Sequence, residues 1–190
     1  MKSNWQTKKL GEVIKLEYGK PLLKSRRKSD GKYPVYGANG VKSRSDTYYF
    51  DRPSIIVGRK GSAGEINLVE GKFWPLDVTY FVTFNEKKYD LKFLYNLLCT
   101  LNLPSLAKGV KPGINRNDVY TIEITIPDLG EQKRIVKILD KIFQNITKVR
   151  SATEQKLVDL DELKKAVLKK AFTQSLRTKQ KHELNILIQS

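Results

Sequence analysis

Two glycine-bearing loops hold the residues best suited to chemistry. Gly58-Arg59-Lys60-Gly61-Ser62-Ala63-Gly64 follows the apolar run Ser54-Ile55-Ile56-Val57, and Lys108-Gly109-Val110-Lys111-Pro112-Gly113-Ile114-Asn115-Arg116-Asn117-Asp118 follows a helical segment. Glycine lets a backbone approach a ligand closely, and cations beside it can meet phosphates or guanine edges. The first loop is not a P-loop, because no Lys-Ser/Thr pair follows its last glycine, and its spacing is not that of a dinucleotide fold. A tight hairpin with outward charges is the competing reading. A third basic stretch runs from Lys20 to Arg44, with Lys20, Lys24, Arg26, Arg27, Lys28, Lys32, Lys42 and Arg44 against the single acid Asp30. Turn formers at 29–31 and 36–40 break it into loops around a short strand, Tyr33–Tyr36. Such loops suit a nucleic-acid surface, or are merely solvated.

Catalytic chemistry finds no foothold. His182 is the sole histidine and Cys99 the sole cysteine, so neither a nucleophile–base pair nor a zinc ligand set is in prospect. Cys99 sits in the apolar run 93–99 and is expected to be a buried, inert thiol. No glycine motif for S-adenosylmethionine and no Asn/Asp-Pro-Pro-aromatic motif for amino methylation occurs. Asp128, Glu131 and Lys133 lie too close together to form a nuclease set and suit a helix start. No catalytic residue, metal or cofactor is expected.

The elements that must position these loops follow from periodicity. Leu10 to Leu16 reads as a short strand or a turn of helix. Strands are expected at 33–36, 54–57, 66–69, 73–74, 78–84 and 119–126, within one antiparallel or mixed sheet. Asp90 to Leu101 has helical spacing and should pack on it. After a turn at Ile126-Pro127-Asp128-Leu129-Gly130, Glu131 to Phe172 contains no Pro or Gly. Apolar residues fall there at Ile135, Leu139, Ile142, Ile146 and Val149, and again at Leu160, Leu163 and Val167, a heptad seam interrupted at Thr153 and Lys156. That stretch would form a helix roughly 60 Å long. The fold class is therefore α+β with a long C-terminal helix. A formal charge of +16 over 190 residues favours a polyanionic partner, although a basic surface need not bind. No membrane span or apolar leader is visible, and a cytoplasmic protein is expected.

Six phrases, in order, resemble the specificity subunits of type I restriction–modification systems. They are Trp5–Glu12, Pro34–Gly40, Gly58–Ser62, Pro112–Asp118, Ile126-Pro127 with Glu131–Val136, and Leu163–Phe172. The resemblance implies a DNA target-recognition domain over 1–129, a helix over 130–176 for spacing, dimerisation and methyltransferase docking, and a tail over 177–190. It implies no catalysis in this chain, and partnership with double-stranded DNA and with methyltransferase and restriction subunits. A full-length subunit carries the unit twice, its two helices pairing as an antiparallel coiled coil. The length of this chain matches a half-subunit, so a homodimer is expected, with Ile135, Leu139, Ile142, Ile146, Val149, Leu160, Leu163 and Val167 at the interface. Charge and glycine context assign base contacts to Asn39, Arg44, Arg59, Lys60 and Arg116, and phosphate contacts to Lys20, Lys24, Arg26, Arg27, Lys42 and Lys111. The alternative is a truncated assembly factor that pairs through its helix without reading sequence.

Overall fold

The computed structural model describes residues 5–188, with side chains from 5 to 173. In chain order the elements are β1 (Gln6–Lys9), α1 (Leu10–Val13), β2 (Ile14–Tyr18), β3 (Tyr33–Gly37), β4 (Gly40–Ser45), β5 (Ser54–Gly58) and β6 (Ile66–Val69). They continue as β7 (Trp74–Pro75), β8 (Thr79–Phe84), α2 (Leu91–Thr100), α3 (Arg116–Tyr120), β9 (Glu123–Ile126) and α4 (Leu129–Ile188). The chain divides into two units, 1–138 and 139–190.

The strands make three sheets rather than the single one expected. A four-stranded antiparallel sheet has the order β2-β8-β5-β6. Strand β5 is buried throughout, as its unbroken Ile55-Ile56-Val57 run requires of a strand covered on both faces. Ile55 and Val57 join the main core with Leu10, Leu16, Val82, Leu94, Leu98 and Val119. Ile56 points the other way, against Phe73 and Phe81. The second sheet is β4-β3-β7, in which Val35 is wholly buried, and the third pairs β1 with β9. Strand β1 runs straight into α1, and β3 turns at Gly37–Gly40 to pair with β4, so neither extends the central sheet.

Two local expectations are corrected. The last strand is shorter than expected, because the Asn115 side chain accepts the Asn117 N–H at 2.9 Å and starts α3 first. Cys99 is exposed, since the inward positions of α2 are Phe93, Leu94 and Leu98.

The first compact unit extends to Ile138. The first turns of α4 belong to the head: Val136 is buried in its core and Ile135 packs against it. Gln132 is fully buried; its Nε2 donates to the Pro127 carbonyl at 2.8 Å and the Lys88 carbonyl at 3.3 Å, and its Oε1 accepts the Asp90 N–H at 2.9 Å. Asp90 in turn caps α2 by accepting from the Phe93 N–H. The backbone of α4 continues through the expected tail as far as Ile188, because no Pro or Gly after Gly130 interrupts its hydrogen-bond ladder. Of the expected seam, Ile135 packs on the head core and Leu139 is half-buried. Ile142, Ile146, Val149, Leu160, Leu163 and Val167 are exposed, as are Phe143, Leu157, Val158, Leu168 and Phe172.

Gln132 satisfies three main-chain groups from one buried side chain. Gln132→Leu keeps the volume and orphans all three, so it should destabilise the head by about 1–3 kcal/mol. Urea unfolding measures this, and an unchanged midpoint contradicts the role.

Candidate nucleic-acid interface

The loop after β5 is built around close backbone approach. The Gly58 N–H donates to the Glu65 carbonyl and the Gly64 N–H to the Gly58 carbonyl, both at 2.8 Å. A Cβ on Gly58 would fall 2.0 Å from the Ser62 carbonyl oxygen and 3.0 Å from that of Ala38. Only glycine therefore fits, and the β3–β4 turn at Gly37–Gly40 is brought against the same point. Gly61 and Gly64 have φ of +83° and +85°, in the left-handed region.

The second glycine-bearing loop is joined to the first. Ile114 N–H donates to the Arg59 carbonyl at 2.9 Å, and Gly61 N–H donates to the Pro112 carbonyl at 3.0 Å. Lys108 and Gly113 exchange two main-chain hydrogen bonds across their own turn, at 3.0 and 3.1 Å. The Arg59 and Lys60 N–H groups donate to the Val78 carbonyl, anchoring the pair to the start of β8. Loops about fifty residues apart thus form one basic surface.

On that surface one aromatic ring holds two arginines. The Arg59 guanidinium lies 5.2 Å and that of Arg116 4.8 Å from the centre of the Tyr18 ring. Arg116 also donates to the Leu16 carbonyl at 3.4 Å, while the buried Nε of Arg59 has no hydrogen-bond partner. Tyr18 packs against Tyr80 with ring centres 5.1 Å apart, and the Tyr80 hydroxyl donates to the Ile114 carbonyl at 3.2 Å. Tyr18 is itself pinned, since a Cβ on the following Gly19 would sit 2.0 Å from the Leu76 carbonyl oxygen and Lys20 N–H donates to the Pro75 carbonyl. Lys60 and Lys111 are exposed beside the arginines, and Val110 stands fully exposed at the tip of the second loop.

The remaining candidates divide by what already engages them. Asn39 is exposed on the turn whose Ala38 carbonyl abuts Gly58. Lys20 lies over the Tyr49 ring at 4.8 Å, and the indole N–H of Trp74 donates to the Lys20 carbonyl. Lys24 and Arg26 are exposed on a 3₁₀ turn, and Lys42 is exposed with its stem against Gly37. Arg27 donates twice to the Leu22 carbonyl, and Arg44 donates to the carbonyls of Gly31 and Lys32. Sequence reasoning therefore found Arg59, Lys60, Lys111 and Arg116, which the fold brings together. It missed Tyr18 and Tyr80, for nothing local to an aromatic at a strand end announces arginines arriving from two distant loops. It also missed Lys72, whose ammonium sits 4.5 Å from the Tyr48 ring centre, with Tyr33 edge-on to Tyr48 at 5.0 Å.

Residues 2–157 match the family described as the type I restriction modification DNA specificity domain. A putative type I restriction enzyme specificity subunit of Haemophilus influenzae is 34% identical over 128 residues, 65% of this chain and 33% of that protein. The EcoDI specificity subunit of Escherichia coli is 28% identical over 169 residues, covering 87% and 37% of the two chains. This chain therefore spans well under half the length of these curated relatives. Among solved structures, the S subunit of a type I restriction–modification system from M. genitalium superposes with a TM-score of 0.69 at 23% identity, over 79% of this chain and 42% of that one. A chain from a type I R-M complex superposes at 0.73 and 22%, over 90% and 46%.

Burial and the neighbouring Tyr18 phenol push the Tyr80 hydroxyl from its ordinary value near 10 up to about 12. Between those values the folded chain keeps a proton that the unfolded chain has lost, so this contribution is complete below pH 10 and disappears as pH rises through 12. Wild type should lose stability between pH 10 and 12 more steeply than Tyr80→Phe; parallel unfolding curves contradict the assignment.

Proposed function

Because the chain belongs to the family of type I restriction–modification DNA specificity domains, we propose that its head reads one half of a bipartite duplex target for partner methyltransferase and restriction subunits. The observation that carries this reading is the joined pair of loops that sets Arg59 and Arg116 against Tyr18. A guanidinium held on a ring has lost its rotamer freedom before binding, and its planar fork of donors matches the O6 and N7 of guanine. An exposed lysine is a mobile, hydrated point charge and suits phosphate. Arg59, Arg116 and Asn39 are accordingly the base readers. Lys60 and Lys111 beside them take phosphates, as do Lys20, Lys24, Arg26 and Lys42. Arg27 and Arg44, whose guanidiniums serve main-chain carbonyls, hold the loops that present the others.

Two copies pairing through the helix would restore two heads and so read an inverted repeat. Adenine methylation and cleavage would then be the work of the partner subunits, in the cytoplasm, with this chain directing them. The exposed apolar residues of α4 also suit a pure assembly factor, but that reading leaves the charged loops idle.

Selection of duplexes from a random pool by the chain, with and without its methyltransferase subunit, tests the proposal. A recurrent half-site is expected. Arg59→Ala or Arg116→Ala should relax the preference at one base position, by about 10- to 100-fold in discrimination. Lys60→Ala or Lys111→Ala should weaken all sequences alike and lower the salt slope by about one. Tyr18→Phe, which keeps a ring under both guanidiniums, should behave as wild type, whereas Tyr18→Leu should lose discrimination with little change in salt slope. Methyltransferase binding with no enriched sequence would support the assembly factor instead.

A further inference from the structure

The exposed seam of α4 reads the same in both directions. Val149 and Leu160 lie equally far from the midpoint between Glu154 and Gln155; so do Ile146 and Leu163, and Ile142 and Val167. The polar interruption obeys the same symmetry, since Thr153 and Lys156 are also equidistant from that point. All of these side chains are exposed. A face that is its own mirror in sequence is self-complementary under a two-fold axis, the requirement for an isologous contact between identical chains.

Resting on the reading that the helix pairs two copies, we propose that a second copy of this chain packs antiparallel on this face with its two-fold axis between Glu154 and Gln155. In an antiparallel pair each seam residue faces the partner position of the alternate heptad class. In this register Val149 faces Leu160, Ile146 faces Leu163 and Ile142 faces Val167, each twice by symmetry, while Thr153 faces Lys156. A slip of one heptad in one direction sets Val149 against Thr153 and Ile146 against Lys156. The opposite slip sets Leu163 against Thr153 and Leu160 against Lys156. Either slip buries polar groups against apolar ones and exposes the apolar residues left over.

The polar centre tolerates coverage. Thr153 donates its hydroxyl to the Val149 carbonyl of its own helix at 2.9 Å, so covering it orphans no donor. Lys156 can lay its stem along the seam and leave its ammonium at the rim. Glu154 is paired with Arg150 and Asp159 with Gln155 along the same helix, both at 2.9 Å. The flanking positions meet without like charges: Arg150 comes opposite Leu157, Phe143 opposite Lys164, and Ala152 opposite Asp159. The interruption thus acts as the register mark of the interface, a use to which buried polar residues in coiled coils are often put.

Distances between spin labels on the two copies decide the matter. Lys141, Lys148, Gln155, Glu162 and Lys169 recur every seven residues on one exposed face away from the seam. Each is changed singly to Cys in full-length protein carrying Cys99→Ser, because Cys99 is exposed. Axial separation grows by about 3 Å for each residue from the axis. The separation should therefore be smallest at Gln155, with an axial component of roughly 20 Å at Lys148 and Glu162 and roughly 40 Å at Lys141 and Lys169. Near-equal separations at Lys148 and Gln155, or at Gln155 and Glu162, mean a slipped register and overturn this inference while leaving the pairing intact. Equal separations at all five sites mean parallel chains and overturn it too. Absence of any coupling together with a monomeric mass overturns the pairing itself.

Discussion

Two main-chain hydrogen bonds, from Ile114 to Arg59 and from Gly61 to Pro112, are the constraint on which the charged surface depends. Like cations brought together repel, and nothing in two separate solvated loops would hold Arg59, Lys60, Lys111 and Arg116 on one face. The backbone bonds do this without using a side chain, so the charged groups remain available. Glycine makes the arrangement possible, because the Gly58 position has no room for a Cβ between the Ser62 and Ala38 carbonyls. Tyr18 completes it by offering one ring to two guanidiniums, a favourable contact for each cation. Among the described residues neither arginine is ion-paired to a carboxylate, so that surface keeps an uncompensated positive charge.

The same division between held and free groups runs through the rest of the molecule. Gln132 is held by three main-chain partners and ties the first turns of α4 to the loop before α2 and to the turn after β9. Beyond the head, α4 keeps its apolar side chains exposed, which water penalises unless something covers them. The solved chains that superpose on this one share its fold.

What the amino-acid order made legible is what local periodicity controls. Strand β5 and helix α2 follow from an apolar run and a helical spacing, and the length of α4 follows from forty residues without a breaker. Glycines mixed with cations located both halves of the charged surface. What could not be read is what arises between distant segments. Nothing in Tyr18 or Tyr80 signals their arginine and carbonyl partners, since those lie on loops far along the chain. Gln132 looks like an ordinary helix-surface residue, and only the turn folding over it makes it buried. Partition of the strands into three sheets, and the one-turn helix that displaced the start of β9, were decided by turns and caps competing with strand pattern.

Amide hydrogen exchange of the chain, free and saturated with an enriched duplex, tests the central claim most directly. DNA bound on the joined loops should slow exchange in the segments 59–64 and 110–116 together, with β1 and β9 unchanged. Protection that misses both loops, or covers one without the other, would contradict a single reading surface built from the two.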